Sequence, residues 1–297
     1  MVEKKLNLDI SESVYKFESL MERILPKRIF YKLLLRGKGL EFDSYRNFDP
    51  DDDSSSIDWK ASKRANTLLV KQYVEERDIK VMFLIDISDD MIFGSQEKLK
   101  CEYCAELIAA LGYVITNTTS DQIGCIYFNN DIVHITPLAP GKKQFEILEH
   151  EISNPDLYGG ASNMKDFLDK VMELLDPTLS LIFIISDFIK VDEDCRNKFE
   201  DLGALFETIA IMVKDPLDKT LPEMNKEIVI EDPVTKKRMV VNPKIAKKIY
   251  EENAMKQENM VKKMLEIANI DCLSLGTEED FSPKLAMFLK NRAERRD

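Results

Sequence analysis

VMFLIDISDDM, residues 81–91, runs an unbroken apolar stretch into Asp86, Ser88, Asp89 and Asp90. Val81 to Ile85 have the character of a strand covered on both faces, where no alternation with polar residues is needed. The oxygen-bearing side chains then fall at the strand's carboxyl end. Asp86, Ser88 and Asp90 alternate along the loop, so the three can turn toward one point. Such an end either closes the sheet as a solvated turn or holds something charged.

Outward from this stretch, short apolar strands alternate with helical segments. Lys98 to Thr116 is predicted as helix, QIGCIYF (122–128) and DIVHITPL (131–138) as a pair of strands, and Lys142 to Glu151 as helix. Met164 to Leu175 follows as helix, LSLIFIIS (179–186) as strand, Glu193 to Leu202 as helix and FETIAIMV (206–213) as strand. This alternation predicts an α/β fold: a doubly wound, mostly parallel sheet with helices on both faces. EIVIEDPVTKKRMVV (227–241) reads as a β-hairpin turning at Asp232-Pro233, followed by a long helix opened by Pro243, on which Ile245, Ile249, Met255, Met260 and Met264 are expected to pack. DCLSL (271–275) is a last strand, and the chain closes on a helix.

Before the sheet, residues 13–35 are predicted as helix, with Val14, Phe17, Leu20, Met21 and Ile24 at helical spacing and Pro26 as a break. Residues 40–76 are polar and aperiodic yet hold Phe42, Tyr45, Phe48 and Trp59, which predicts ordered extended segments laid on the core with Trp59 largely buried. The division expected is 1–79 for the helix and extended segment, and 80–297 for the α/β domain with an insertion at about 227–269.

Composition narrows the function. The 297 residues, 44% of them hydrophobic, suffice for one sizeable core. A formal net charge of -12 opposes sequence-independent binding to nucleic acid, which needs the reverse balance. Arg23, Lys27, Arg28, Lys32, Arg36 and Lys38 form a basic run against that background, read as a solvated helix face. Neither a membrane-length apolar run nor an apolar signal core is visible, so the expected location is the cytoplasm. Five scattered cysteines fit reduced thiols, and Cys101-x-x-Cys104 lies on a predicted helix with only two histidines in the chain to complete a zinc site.

In an open α/β sheet, ligands bind outside the carboxyl ends of the strands where the strand order reverses. Three such ends carry oxygen here: DISDD with Asp86, Ser88 and Asp90; GGASN (159–163) with Ser162; and IISDF with Asp187. Carboxylates and hydroxyls without histidine or thiol suit a hard cation, Mg²⁺, Mn²⁺ or Ca²⁺. Two carboxylates about 4 Å apart repel by roughly 4 kcal/mol at an effective dielectric near 20 unless a cation intervenes. The same acids could instead cap helices and loops at the sheet edge.

DISDD followed by Met91 resembles the D-x-S-x-S-M loop of von Willebrand factor A domains, whose metal-ion-dependent adhesion site adds a threonine and an aspartate from two later loops. GLEFDSYRNFDPDDDSSSIDWKASKRANTLLVKQYVEER (39–77) further resembles the hallmark stretch of one branch, the "domain of unknown function 58" family, and TEEDFSPKLAMFLKNR (277–292) also has a counterpart there. The resemblance covers nearly the whole chain from about residue 12. Departures occur at the site: Asp90 stands where the family usually has a second serine, and Ser162 replaces the threonine. Asp51 replaces a glycine, and Ser54 to Ser56 stand where arginines are common.

The resemblance implies a non-enzymatic interaction module in which Asp86, Ser88, Asp90, Ser162 and Asp187 hold the cation and a partner's carboxylate completes its coordination. It also implies association with a MoxR-type AAA+ ATPase, for which the chain would serve as adaptor. Two alternatives stay open. One is a metal-free scaffold with a degenerate site. The other is a haloacid-dehalogenase-like phosphohydrolase, which begins with a strand-end nucleophilic aspartate and a second acid two positions on; here that position is Ser88.

Overall fold

The structure, a computed structural model, describes residues 5–24, 41–49, 57–74, 79–117, 121–224, 226–231 and 238–295. Most of the basic run, Asp51, Ser54 to Ser56, and the Asp232-Pro233 turn lie outside these. The chain divides into two compact units, residues 1–35 with 79–297, and residues 36–78. It opens with α1 (Ile10–Ile24), part of the larger unit.

In the smaller unit, β1 (Glu41–Asn47) and β2 (Leu69–Val74) pair antiparallel, and α2 (Trp59–Ala65) lies between them in the chain. The Asp58 carboxylate caps α2, accepting from Lys60 N and Ala61 N at 3.0 Å each, and receives the Tyr45 hydroxyl at 3.2 Å. Ser62, the buried residue of the helix, donates to Asp58 O at 2.7 Å and accepts from Leu69 N at 2.8 Å. This corrects the expectation for Trp59, which is 66% exposed. As first residue after the cap it turns outward while the helix seats its Ser62 side.

The larger unit is built on β3 (Lys80–Asp86), α3 (Lys100–Thr116), β4 (Gln122–Phe128), β5 (Ile132–Pro140), α4 (Lys142–Ile152), α5 (Met164–Val171), β6 (Leu181–Ser186), α6 (Arg196–Leu205), β7 (Thr208–Lys214) and the short α7 (Pro216–Lys219). The hairpin β8 (Ile228–Glu231) and β9 (Arg238–Val241) leads to α8 (Pro243–Ile267), then β10 (Asp271–Gly276) and α9 (Phe281–Glu294). Six strands form one sheet in the order β10-β7-β6-β3-β4-β5. All neighbours are parallel except β4 and β5.

Strand β3 shows why an unbroken apolar run was needed. Val81, Phe83 and Ile85 pack with α1, α3, α4 and α9 on one face, while Met82 and Leu84 pack with α5, α6 and α8 on the other. Phe83 is in register with Phe183 of β6, and the two buried rings stack at 5.4 Å. On α3, the buried Glu102 accepts from Asn7 N at 2.6 Å and Glu106 from Asp9 N at 2.5 Å, tying the segment before α1 to the sheet's helical layer. Cys101 and Cys104 are buried on the same helix; burial pushes the Cys101 thiol up to about 12, which keeps it protonated.

The long helix departs from expectation in its first half. Met264 is buried and Met260 partly so, but Ile245 (74%), Ile249 and Met255 are exposed. Only the second half of α8 lies on the sheet, through Val261, Met264 and Leu265.

The sheet geometry fixes where a site can form. From β3 the chain passes through α3 to β4 on one side, and from β6 through α6 to β7 on the other, yet β3 and β6 are neighbours. The strand order therefore reverses between them, and in open α/β sheets ligands bind outside the carboxyl ends at such a point. Because both faces of this pair are dry, Phe183→Ala should lower stability by about 3–5 kcal/mol, measured by urea unfolding. A loss below about 1 kcal/mol would mean that the centre of the sheet is not tightly packed.

Candidate functional site

Asp86 closes β3 and is 2% exposed. Its Oδ1 accepts from Ser88 N at 3.0 Å and its Oδ2 from the Ser186 hydroxyl of β6 at 2.6 Å. Burial, and next the neighbouring Asp187 charge, push this carboxyl up to about 6, against the opposing help of Ser186 and Ser88. Asp86 is thus a desolvated acid without a cationic partner among the described residues.

Ser88 is completely buried. Its backbone holds Asp86, but its hydroxyl, close to the same carboxylate, makes no hydrogen bond of acceptable geometry among the described residues. A buried hydroxyl without a partner costs about 1–3 kcal/mol and calls for an explanation.

Asp187 follows β6 directly. Its Oδ1 accepts from Ile189 N at 2.9 Å, and its Oδ2 takes the Lys100 ammonium at 2.6 Å. Lys100, 1% exposed at the start of α3, also reaches Asp218 of α7 at 3.1 Å. Burial works to discharge this lysine, but the two carboxylates outweigh it and leave its affinity for the proton above the ordinary value. Asp218 in turn accepts from Asp215 N at 2.8 Å. Phe188, next in the chain, is held in the left-handed region with φ 54, an uncommon conformation for a bulky residue. Gln257 of α8 fixes it by donating to Phe188 O at 2.6 Å and Ile189 O at 2.9 Å.

Asp90 lies in a single 3₁₀ turn, Asp89–Met91, and pairs with the Lys190 ammonium at 2.5 Å. Ser162 is half-buried on the adjoining loop, one residue before Asn163, which caps α5 by accepting from Asp166 N. That loop is stitched to the first: Asp89 N donates to Gly160 O at 2.8 Å and Gly159 N to Ile87 O at 2.7 Å. Gly160 is required where it stands, with φ +95 and the Asn129 amide 2.4 Å from where a Cβ would sit.

Asp86, Ser88 and Asp187 are therefore gathered at the switch point. Asp90 and Ser162 lie on the same rim, but among the described residues no hydrogen bond or ion pair joins either to that trio. Nor do three or more His, Cys, Asp or Glu side chains there converge closely enough to hold a metal ion. The sequence reading missed Lys100, Lys190, Ser186 and Asp218. A lone lysine opening an otherwise buried helix was the available signal for Lys100.

This sheet, with DISDD, the loop between α4 and α5 and the loop after β6 gathered at its carboxyl edge, has the fold of a von Willebrand factor A-like α/β domain. An aerotolerance-related membrane protein from Bacteroides fragilis shares the fold with a TM-score of 0.50 at 13% identity, covering 73% of this chain and 99% of that one. BatB from Bacteroides thetaiotaomicron matches with a TM-score of 0.48 at 14% identity, again over 73% and 99%. A von Willebrand factor type A protein from Catenulispora acidiphila matches with a TM-score of 0.44 at 11% identity, over 77% and 44%. Residues 44–260 match the family described as "Protein of unknown function DUF58", and the chain belongs to that family. The "Uncharacterized protein Rv1480" of Mycobacterium tuberculosis is 22% identical over 262 residues, 87% of this chain and 81% of the relative. No helix among the described residues is long and apolar enough to cross a membrane.

The state of Asp86 makes a prediction. A carboxyl whose folded pKa is raised binds its proton more tightly folded than unfolded, so its ionisation costs stability in full above about 6, and the cost declines as pH falls below that value and is gone only below the ordinary carboxylate pKa of 3.8. In EDTA, Asp86→Asn should therefore be more stable than wild type at pH 7.5 by about 1–3 kcal/mol, with the gain shrinking at pH 5. Thermal melts across that range would show it, and equal or lower stability of the variant at pH 7.5 would refute the account.

Proposed function

We propose that the chain is a non-enzymatic protein-interaction module whose docking point is a metal-ion-dependent adhesion-like site at the carboxyl end of β3. The observation that carries this reading is the buried Ser88 hydroxyl, without a well-formed hydrogen bond among the described residues, beside an acid that has no cationic partner among them. The donor set fits a hard divalent cation, Mg²⁺ or alternatively Mn²⁺ or Ca²⁺, since every candidate ligand is oxygen. Asp86, Ser88 and Asp187 would hold it, with Asp90 and Ser162 on the rim. The cation would supply charge compensation and a Lewis-acidic position for a carboxylate of the partner.

On the resemblance, that partner is a MoxR-type AAA+ ATPase and the chain its cytoplasmic adaptor. Family membership supports an interaction role, and Ser88 in place of a second acid argues against the phosphohydrolase alternative, because the proton-transferring group is missing.

A second reading has its own support. The Lys100 and Lys190 ammoniums already pair with Asp187 and Asp90, which favours a scaffold that needs no metal.

Calorimetric titration with Mg²⁺, Mn²⁺ and Ca²⁺ decides between them. The metal reading expects saturable binding by wild type and at least about 100-fold weaker binding by Asp86→Ala, with metal-dependent retention of a MoxR-type ATPase lost in parallel. Asp90→Ser should weaken binding of the free cation yet preserve retention of the partner, because the cation keeps more charge for the incoming acid. No heat at millimolar metal would leave the scaffold reading standing.

A further inference from the structure

The hairpin and the first half of α8 carry apolar side chains that the core of the larger unit does not use. Val229 of β8 is in register with Val240 of β9, so the two share one face of the ribbon, while Met239, the neighbouring residue, lies on the other. They are 62%, 64% and 66% exposed. Asn242 alone separates β9 from α8, and its side chain caps the helix by accepting from Lys244 N at 3.1 Å. Ile245 and Ile249 follow one turn apart, and both are open to solvent. The opposite side of this helical stretch is committed: Lys247 pairs with Glu223 at 2.9 Å, Tyr250 donates to Leu217 O at 2.7 Å and Glu251 accepts from the Thr220 hydroxyl.

An exposed apolar face does not by itself say what covers it. Two features here do, and the first is charge. Lys244 and Lys248, one turn apart beside the two isoleucines, are exposed and have no ion-pair partner among the described residues. Among the described residues from 226 to 249, five are Lys or Arg and two are acids, in a chain whose formal net charge is -12. The surface therefore suits an anionic occupant, which the rest of the chain repels. A nucleic acid would meet the charge but offer the valines and isoleucines nothing apolar to enter.

The second feature is that the ribbon is open on both faces. A second protein docked on one face would leave the other in water, whereas a fluid lipid phase surrounds both. The two strands form a sheet of their own, so their outer backbone edges are unpaired among the described residues. Such edges exclude the hydrocarbon centre of a bilayer but are satisfied at its boundary, where water and phosphate reach them. We propose that the β8–β9 hairpin and the first half of α8 dock on an anionic lipid surface. Val229, Met239, Val240, Ile245 and Ile249 enter the boundary between headgroups and acyl chains, and Lys244 and Lys248 lay their stems along it with their ammoniums on lipid phosphates.

The test uses the full chain in EDTA, so that the divalent site contributes nothing and failure of either reading is seen separately. Co-sedimentation is measured with vesicles of phosphatidylcholine and phosphatidylglycerol in equal parts, and with vesicles of phosphatidylcholine alone. The mixed vesicles should retain the chain at least about tenfold better, and raising the salt to about 0.5 M should release most of it. Ile245→Gln with Ile249→Gln, and separately Lys244→Gln with Lys248→Gln, should each weaken retention about tenfold. All four side chains are exposed, so both variants should melt as wild type does, which keeps loss of binding distinct from loss of fold. No retention at about 5 mM lipid overturns the proposal. Retention unchanged in the isoleucine variant overturns it too, because charge alone would then hold the chain to the vesicle. So does a wild type that ignores vesicles yet doubles its mass in sedimentation equilibrium while the isoleucine variant stays single, which assigns the face to a second copy of the chain.

Discussion

A single ammonium buried in the interior sets the arrangement of the sheet's carboxyl edge. Lys100 is out of reach of solvent and is tolerable there only because Asp187 and Asp218 both contact it. Those contacts bind the start of α3 to the loop after β6 and to α7 after β7. Asp218 passes the constraint to the backbone of Asp215, whose completely buried carboxylate accepts from Ser95 N at 2.7 Å, the Ser95 hydroxyl at 2.6 Å and the Thr277 hydroxyl at 3.3 Å. Segments following β3, β6, β7 and β10 are thus anchored in one polar network. Breaking such a network by removing one charge costs far more than the pair contributes, because the remaining charges stay buried.

The same network accounts for the uneven charge balance of the site. Asp187 is compensated internally, and so is Asp90 by Lys190. Lys214, the remaining buried lysine of this edge, has its proton affinity lowered by burial. Among the described residues, Asp86 receives hydrogen bonds only from neutral donors, Ser88 N and the Ser186 hydroxyl. A cation at this edge would therefore be attracted chiefly by Asp86, with Asp187 shared between it and Lys100. An internal ammonium so placed would temper the affinity of Asp187 for such a cation.

The strands were legible because burial on both faces demands unbroken apolar runs, as in LIFII (181–185), and the switch point followed from the order in which strands and helices alternate. Boundaries were less legible. Met164 to Leu175 ends as helix at Val171, since the residues beyond form turns before β6. WKASKRA gave no helical periodicity because a cap and a serine, rather than an apolar stripe, hold α2 in place. Ile245 and Ile249 had the spacing of packed residues, but periodicity states only that a face is apolar and says nothing of whether another surface covers it. The acids of the site were readable as types at strand ends. Their lysine partners were not, because Lys100 lies 87 residues from Asp187 and the two meet only once the sheet has formed.

The least legible contribution comes from α8. Gln257 lies in the insertion after β9, yet it grips the carbonyls of Phe188 and Ile189 immediately beyond Asp187. Left to itself, Phe188 would relax from its left-handed conformation toward the ordinary regions, a preference of about 1–3 kcal/mol, and would carry the Asp187 carboxylate with it. Tyr250, on the same helix, donates to Leu217 O at 2.7 Å and so steadies α7, which presents Asp218 to Lys100. One helix thereby holds both acids that flank the buried ammonium, through contacts to backbone rather than to the acids themselves. The insertion is in this respect part of the site's framework: it determines where two carboxylates point while contributing none of the charge.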